Sequence, residues 1–435
     1  MFKKFIPLAI CGLALLALAP SAARLALASP SSVTFTVNSP LDRIDDNVGD
    51  GICHTASGTC TLRAAVMEAD VASSTAGATI ILPAGIYSLT IPAAVPDGPE
   101  NGDLNLIAGN PMISIVGAGA ASTIIDANQN DRVLSVQKGR TASLSGVTLR
   151  GGSLVNDYGG GINNNGILAL DRVTVSGNDA GAADGTGGGI ENGGVMTVTE
   201  STIGPDNTAY YCAGICNDGT LLVDRSTIAG NHASVGGGIY QDPYYHMFLI
   251  NSTISHNSAI GDGGGIFNNG TANVYNTSIV FNSADSGNAG GSYGGGVDNG
   301  NFGTFNLRNT LVAGNNSGNT YPDDCHGTLG TYGNNLFTQA SPCTLVPADA
   351  GTTGVLNSVA LLGPLADNGG PTQTHALLAG SNAIDGGDPF QGCVDNNSVP
   401  LATDQRGFPR VVGASCDIGA FEYLPPAAFL PIVLR

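Results

Sequence analysis

The feature that most constrains this chain is a short phrase written six times: GGGINN from residue 159, GGGIEN from 187, AGICND from 213, GGGIYQ from 236, GGGIFN from 263 and GGGVDN from 294. Its apolar member (Ile162, Ile190, Ile215, Ile239, Ile266, Val297) recurs at steps of 28, 25, 24, 27 and 31 residues. A second phrase interleaves with it, in DRVTVSGN, ESTIGPDN, DRSTIAGN, INSTISHN, YNTSIVFN and RNTLVAGN. There the apolar column is Val175, Ile203, Ile228, Ile254, Ile279 and Leu311, extending back through Leu149 to Ile124. A third apolar position lies five residues earlier, at Leu170, Val198, Val223, Leu249 and Val274. Self-similarity at this period, with three short β-branched segments between Gly/Asn turns, is the signature of a solenoid. The segments are too short for helices. The leucine-rich repeat shares the period but needs a Leu-x-x-Leu-x-Leu frame that is absent.

The fold expected is a right-handed parallel β-helix, three short strands per coil and about 25 residues per coil, with equivalent residues stacked ~4.8 Å apart. The Ile and Val columns form its interior. Asn178, Asn207, Asn231, Asn257, Asn282 and Asn315 stack near a turn, where they bond the backbone or each other. Composition agrees: 64 of 435 residues are glycine, which turns corners at positive φ, and only 11% are charged. With 42% hydrophobic residues the chain has the material for a core.

Because side chains alternate across a strand, an inward Ile228 sends Thr227 outward. The outward column is then Thr123, Thr148, Thr174, Thr202, Thr227, Thr253, Ser278 and Thr310. Such an uncharged hydroxyl ladder is a candidate surface for glycans or cell-surface components, with Thr148, Thr174, Thr202, Thr227, Thr253 and Thr310 as its ligand-binding face. The plainer reading is that threonine forms strands well on a solvated face.

Residues 1–28 open with Lys3 and Lys4, continue through an apolar run and end in Ala26-Leu27-Ala28, an export signal. No later segment has the ~18 to 20 apolar residues of a membrane-spanning helix. The formal net charge of −19, with Lys138 the only lysine after the leader, disfavours nucleic acid and anionic membranes as partners. Eight cysteines follow the leader in local pairs, Cys53/Cys60, Cys212/Cys216, Cys325/Cys343 and Cys393/Cys416, which in an exported chain read as disulfides. Spacing alone leaves the connectivity open.

A solenoid needs caps. In CTLRAAVMEAD, Leu62, Ala65, Val66 and Ala69 make one helical face and Thr61 is the expected N-cap of a helix shielding the first coil. Just before it, LDRIDDNVGDG gathers Asp42, Asp45, Asp46 and Asp50 in a Gly-containing loop, a candidate calcium site without EF-hand spacing. Near the other end Asp385, Asp388, Asp404, Asp417 and Glu422 cluster beside Arg406 and Arg410, and ion pairs locking the last coils are favoured there over acid/base chemistry.

The segment from Phe35 to Asp70 resembles the CSLREA domain, whose motif here reads Cys60-Thr61-Leu62-Arg63-Ala64-Ala65, with Ala64 where the motif has Glu. The segment LGPLADNGGPTQTHALLAGSNAIDGGD, with DQRGFPR and CDIGAFE, is similar to the choice-of-anchor Q domain of bacterial surface proteins. The middle resembles the repeats of polymorphic outer-membrane proteins. The resemblance implies an exported, surface-associated β-helix and brings no catalytic residues.

The organisation expected is a signal peptide at 1–28, a CSLREA-like cap and first coils at 29–110, repeats at 111–320, C-terminal coils and cap at 321–424, and a Pro-rich apolar tail at 425–435. For function, the rival to an adhesive, carbohydrate-binding or structural surface protein is a polysaccharide lyase or hydrolase. Pectin-hydrolase-like sites need Gly-His-Gly and Arg-Ile-Lys elements, which are absent. Lyase-like sites need a basic residue beside calcium-binding acids, and the repeats carry few, Arg150, Arg172, Arg225 and Arg308. The sequence therefore reads as non-catalytic.

Overall fold

A computed structural model describes residues 32–425 apart from 73–76, 108, 110–111, 182, 288–290, 319–320 and 348–354. The signal peptide and nearly all of the apolar tail lie outside the described residues. The chain winds into a parallel β-helix. Three sheets of 12, 9 and 11 strands, here sheets A, C and B, run the length of the solenoid, with a short fourth sheet of five strands.

Each turn of the chain supplies one strand to each sheet, and each strand pairs with its equivalent in the next turn. Ile162 pairs with Ile190, Ile190 with Ile215, Ile215 with Ile239, Ile239 with Ile266 and Ile266 with Val297, all fully buried. This is sheet C. The Leu170–Val198–Val223–Leu249–Val274 column lines sheet A in the same way. In a parallel solenoid like residues meet like, so one β-branched choice repeated per turn fills the interior.

In sheet B the register slips by one at both ends of the column. Val175, Ile203, Ile228, Ile254 and Ile279 stack as expected, but Ile279 meets Val312 rather than Leu311, and Leu149 meets Ile125 rather than Ile124. A shift of one residue exchanges the two faces. Leu311 therefore points outward, and it is fully buried only because the C-terminal cap covers it.

The glycines of the repeat have separate reasons. Gly263 sits at φ +68 and turns the corner. At Gly264 and Gly265 a Cβ would lie 2.4 Å from the Ser283 backbone and 2.5 Å from the Gly296 carbonyl oxygen, so the neighbouring coil leaves no room for a side chain.

Buried amides staple the turns. From Asn178 to Asn207, Asn231, Asn257, Asn282 and Asn315, each Nδ2 donates to the next Oδ1 at 2.8–3.1 Å, and Asn315 donates to Asp324. A second ladder in sheet C, invisible to the column analysis, runs from Asn164 to Asn192, Asn217 and Gln241 at 2.6–2.7 Å. A buried polar group that is satisfied specifies register, because a slip would orphan it.

The N-terminal helix is Leu62–Val71, capped by Thr61, whose hydroxyl accepts from Ala64 N at 3.2 Å. It packs on the first coils. Residues 358–423 form the C-terminal cap, which folds back through the antiparallel hairpin Leu362–Ala366 and Thr374–Leu377 and lies on the outer face of sheet B. The four disulfides join Cys53–Cys60, Cys212–Cys216, Cys325–Cys343 and Cys393–Cys416. Among the described residues no helix is long and apolar enough to cross a membrane.

Candidate active site

Sheet C strands are three residues long, with the first and third side chains buried inward, so the middle one faces out. That outward row reads Asn163, Glu191, Cys216, Tyr240, Phe267, Asp298 and His326. It is the most chemically varied row of the solenoid. Asp218 and Asp242 each follow the third residue of a strand and stack one coil apart, since Asn217 pairs with Gln241.

Glu191, Asp218 and Asp242 form a hydrogen-bonded carboxylate chain, with Asp218 bonded to both of the others. Thr186 Oγ1 donates to Glu191 Oε2 at 2.7 Å. Burial pushes the Glu191 carboxyl up to about 8, and the negative charges of Asp218 and Asp242 add to the rise. Burial also raises Asp218, against the hydrogen bonds from Asp242 and Glu191, which favour its charged form. Asp242 rises to about 6, by burial and then by the charge of Asp218. Two carboxylates in contact cannot both be charged without repulsion, so shared protons bridge them. At neutral pH Glu191 carries its proton, while Asp242, on the far side of Asp218, is ionised.

Around the triad stand the Cys212–Cys216 disulfide, exposed Tyr211, and Tyr240, whose ring stacks on Phe267 with centroids 5.1 Å apart. The two sulfurs lie beside the Glu191 carboxylate, but bonded to each other they offer no thiolate to a metal. Further along the row, His326 Nδ1 meets Asp298 Oδ1 at 2.8 Å and its ring stacks on Tyr293. The triad was legible in principle: it occupies the positions one and three residues after the repeated isoleucine, positions that strand alternation and stacking bring together.

The calcium loop is not brought together as one set. Asp42 is withdrawn from it: both its oxygens meet the buried Arg63 guanidinium, at 2.7 and 3.2 Å, and one also accepts from Thr90 N and Ile91 N. Arg63 also donates to the carbonyls of Gly102 and Asp103, so this pair nails the helix to the first coil. Asp45 accepts from Asn47 N and His54 N, and Asp50 from Ile52 N and Asn47 Nδ2. Asp45, Asp46 and His54 remain within reach of one another.

The hydroxyl ladder is divided. Thr148, Thr174 and Thr202 are half-buried on the open face. Thr227 donates to Gln373 O at 2.6 Å, Thr253 to Gln405 Oε1 at 2.6 Å, and Ser278 Oγ accepts from Ala420 N at 3.0 Å, so the cap occupies these. Thr310 leaves the row altogether because of the register slip, and its hydroxyl donates to Val274 O and Arg308 O in the interior corner. The C-terminal carboxylates do form locks. Asp404 binds Arg406 and the Glu422 amide, and the Arg406 guanidinium lies 3.5 Å from the Phe421 ring centroid.

No protein-family model and no curated protein matches this chain. Among solved structures it is similar to the crystal structure of pectate lyase Pel9A, at 14% identity and TM-score 0.47, covering 90% of this chain and 97% of that one. The likeness is one of scaffold. The non-catalytic expectation is corrected here: it rests on missing hydrolase elements and on few basic residues, and it does not foresee the carboxylates that stacking brings together on sheet C.

Proposed function

We propose that this is an exported β-helix protein that hydrolyses a neutral glycan at the carboxylate triad of sheet C. The observation that carries the reading is the triad itself, with a protonated Glu191 and an ionised Asp242 on either side of Asp218, flanked by tyrosines. In this reading Glu191 donates its proton to the departing glycosidic oxygen. Asp242, the carboxyl of the triad not bonded to Glu191 and ionised above about pH 6, takes a proton from the attacking water. Tyr211 and Tyr240 supply apolar ring surface and a hydroxyl to the sugar. The strongly acidic chain favours an uncharged polymer.

Export is supported by the leader sequence and the four disulfides. The resemblances at both ends support residence at a bacterial surface. The test is incubation of the mature chain with neutral and uronate polysaccharides, scoring new reducing ends. Glu191→Gln should lower turnover by roughly 100-fold or more, the usual worth of a general acid. No product from any neutral glycan, or full activity in Glu191→Gln, would sink the proposal. Because the active form holds a proton on Glu191, turnover should decline above pH about 8.

A further inference from the structure

The outer face of sheet B carries a second site. Its covered half shows what the face holds: Thr227, Thr253 and Ser278 each spend their hydroxyl on the cap. Its open half continues the same row through Thr202, Thr174 and Thr148, paired strand to strand. Here the cap makes no hydrogen bond to them; Thr148 Oγ1 donates to the Ala120 carbonyl at 2.7 Å, and Thr174 and Thr202 line open space. Two pockets of about 450 Å³ each flank this row at opposite ends of its strands. One is walled by Arg172, Glu200 and the cap's Pro371, and includes Thr174 and Thr202. The other is walled by Asp126, Gln129 and Arg150.

The turn residue preceding each sheet B strand indicates what fits. In the covered half it is Asn251, Asn276 and Asn309, whose Nδ2 groups donate to the carbonyls of Thr403, Val394 and Gly392 at 2.8–2.9 Å. These asparagines read a polypeptide backbone. In the open half the same left-handed position is Gly146, Arg172 and Glu200, while Arg225, which precedes Thr227, stands at the edge of the cap with its carbonyl accepting from Thr372 Oγ1. The backbone-reading amides are gone while the hydroxyl floor is kept. A floor of hydroxyls between rims that pair opposite charges, Arg150 with Asp126 at 2.8 Å and Arg225 with Glu200 at 2.7 Å, offers donors and acceptors with little net field. That is complementary to an uncharged polyol.

We infer that the open half of sheet B, over Thr148, Thr174 and Thr202, binds a neutral glycan chain at a non-catalytic site separate from the sheet C triad. The chain crosses the threonine row from one pocket to the other. Its ring hydroxyls bond the threonines and the charged rims.

Calorimetric titration with soluble neutral glycans tests this, using the wild-type mature chain, Glu191→Gln, Thr174→Glu/Thr202→Glu and the gentler Thr174→Ala/Thr202→Ala. Binding should survive Glu191→Gln, which separates this site from the hydrolytic reading. At this site it should weaken roughly tenfold in the alanine pair, the worth of two hydrogen bonds, and vanish in the glutamate pair, leaving only the binding at the triad. Both variants should melt with the wild type, since the substituted side chains are outside the core. If the glutamate pair melts early, the alanine pair decides alone. The inference is overturned by unchanged affinity in the alanine pair, by a wild type that binds no neutral glycan, or by light scattering that shows a second copy of the chain seated on this face and displaced by Thr174→Glu/Thr202→Glu.

Discussion

The covered and open halves of sheet B share an interior and differ outside it. Inward they are alike: Val175 and Ile203 in one, Ile254 and Ile279 in the other, all fully buried. Outward, the turn column changes from Gly146, Arg172 and Glu200 to Asn251, Asn276 and Asn309, with Arg225 at the boundary, and the strand row from threonines outside the cap to hydroxyls bonded by it. Repetition inside a solenoid is dictated by packing, whereas the outside is free to vary from coil to coil. Departures from the repeat on the outside are therefore where partners are encoded.

The largest effect should show no difference between the halves. Ile203→Asp and Ile254→Asp each place an unpaired carboxylate in an interior with no polar partner and should unfold several coils, costing on the order of 4 kcal/mol or more. Circular dichroism melts would check this, and a tolerant Ile203 would break the claim that the interiors are equivalent. Next, Asp404→Asn should release the cap without melting the coils. It removes one charge of a buried pair and leaves Arg406 uncompensated, at a cost of about 3–5 kcal/mol. Limited proteolysis should then cut within residues 358–423 while the solenoid resists.

Much of the fold was legible because a parallel stack puts equivalent residues in contact, so the period alone specified two interior columns, one amide ladder and the turns. What escaped depended on long-range contact. Leu311 sits one residue out of register, opposite Ser278, and its outward placement is tolerable only under a cap that no local pattern announces. Asp42 read as a calcium ligand among neighbours in sequence, yet its partner Arg63 lies 21 residues away. Glu191, Asp218 and Asp242 each look unremarkable alone, and acquire shared protons only when three coils stack.

The cap's hold on the covered half should also depend on pH, in two opposed steps. Burial raises Glu422 to about 7 and Asp417 to about 6. An acid whose folded pKa exceeds its unfolded value costs stability when ionised, and that cost disappears as pH falls through the folded pKa. The cap should therefore tighten between pH 8 and 6.5, by on the order of 1–2 kcal/mol. Buried His375 works the other way. Its Nε2 bonds Ser255 Oγ at 2.8 Å and its Nδ1 the Gly363 carbonyl at 2.8 Å, and burial lowers it to about 4. Its neutral form is the one that fits, so stability is lost as pH falls below 6.5 toward 4. Protection of Thr374–Leu377 against hydrogen exchange should rise as pH falls from 8 to 6.5 and flatten below it, where the His375 loss offsets the continuing gain from the acids, and Glu422→Gln should remove most of the alkaline rise.

One pair of variants discriminates most sharply between the halves. Asn276 holds φ at 49° and donates from a buried amide to Val394 O at 2.8 Å, while Glu200 holds φ at 48° on the open half. Asn276→Ala loses a buried hydrogen bond, orphans a cap carbonyl and puts alanine in the left-handed region, at a cost of about 2–3 kcal/mol. At Glu200 the conformational strain is already present, and Glu200→Ala gives up one partly exposed ion pair with Arg225 worth about 0–1 kcal/mol. Chemical denaturation of the two variants should thus separate by roughly 2 kcal/mol. Equal losses would mean that the asparagines are no more than turn formers, and that the outside of the solenoid does not encode where its cap sits.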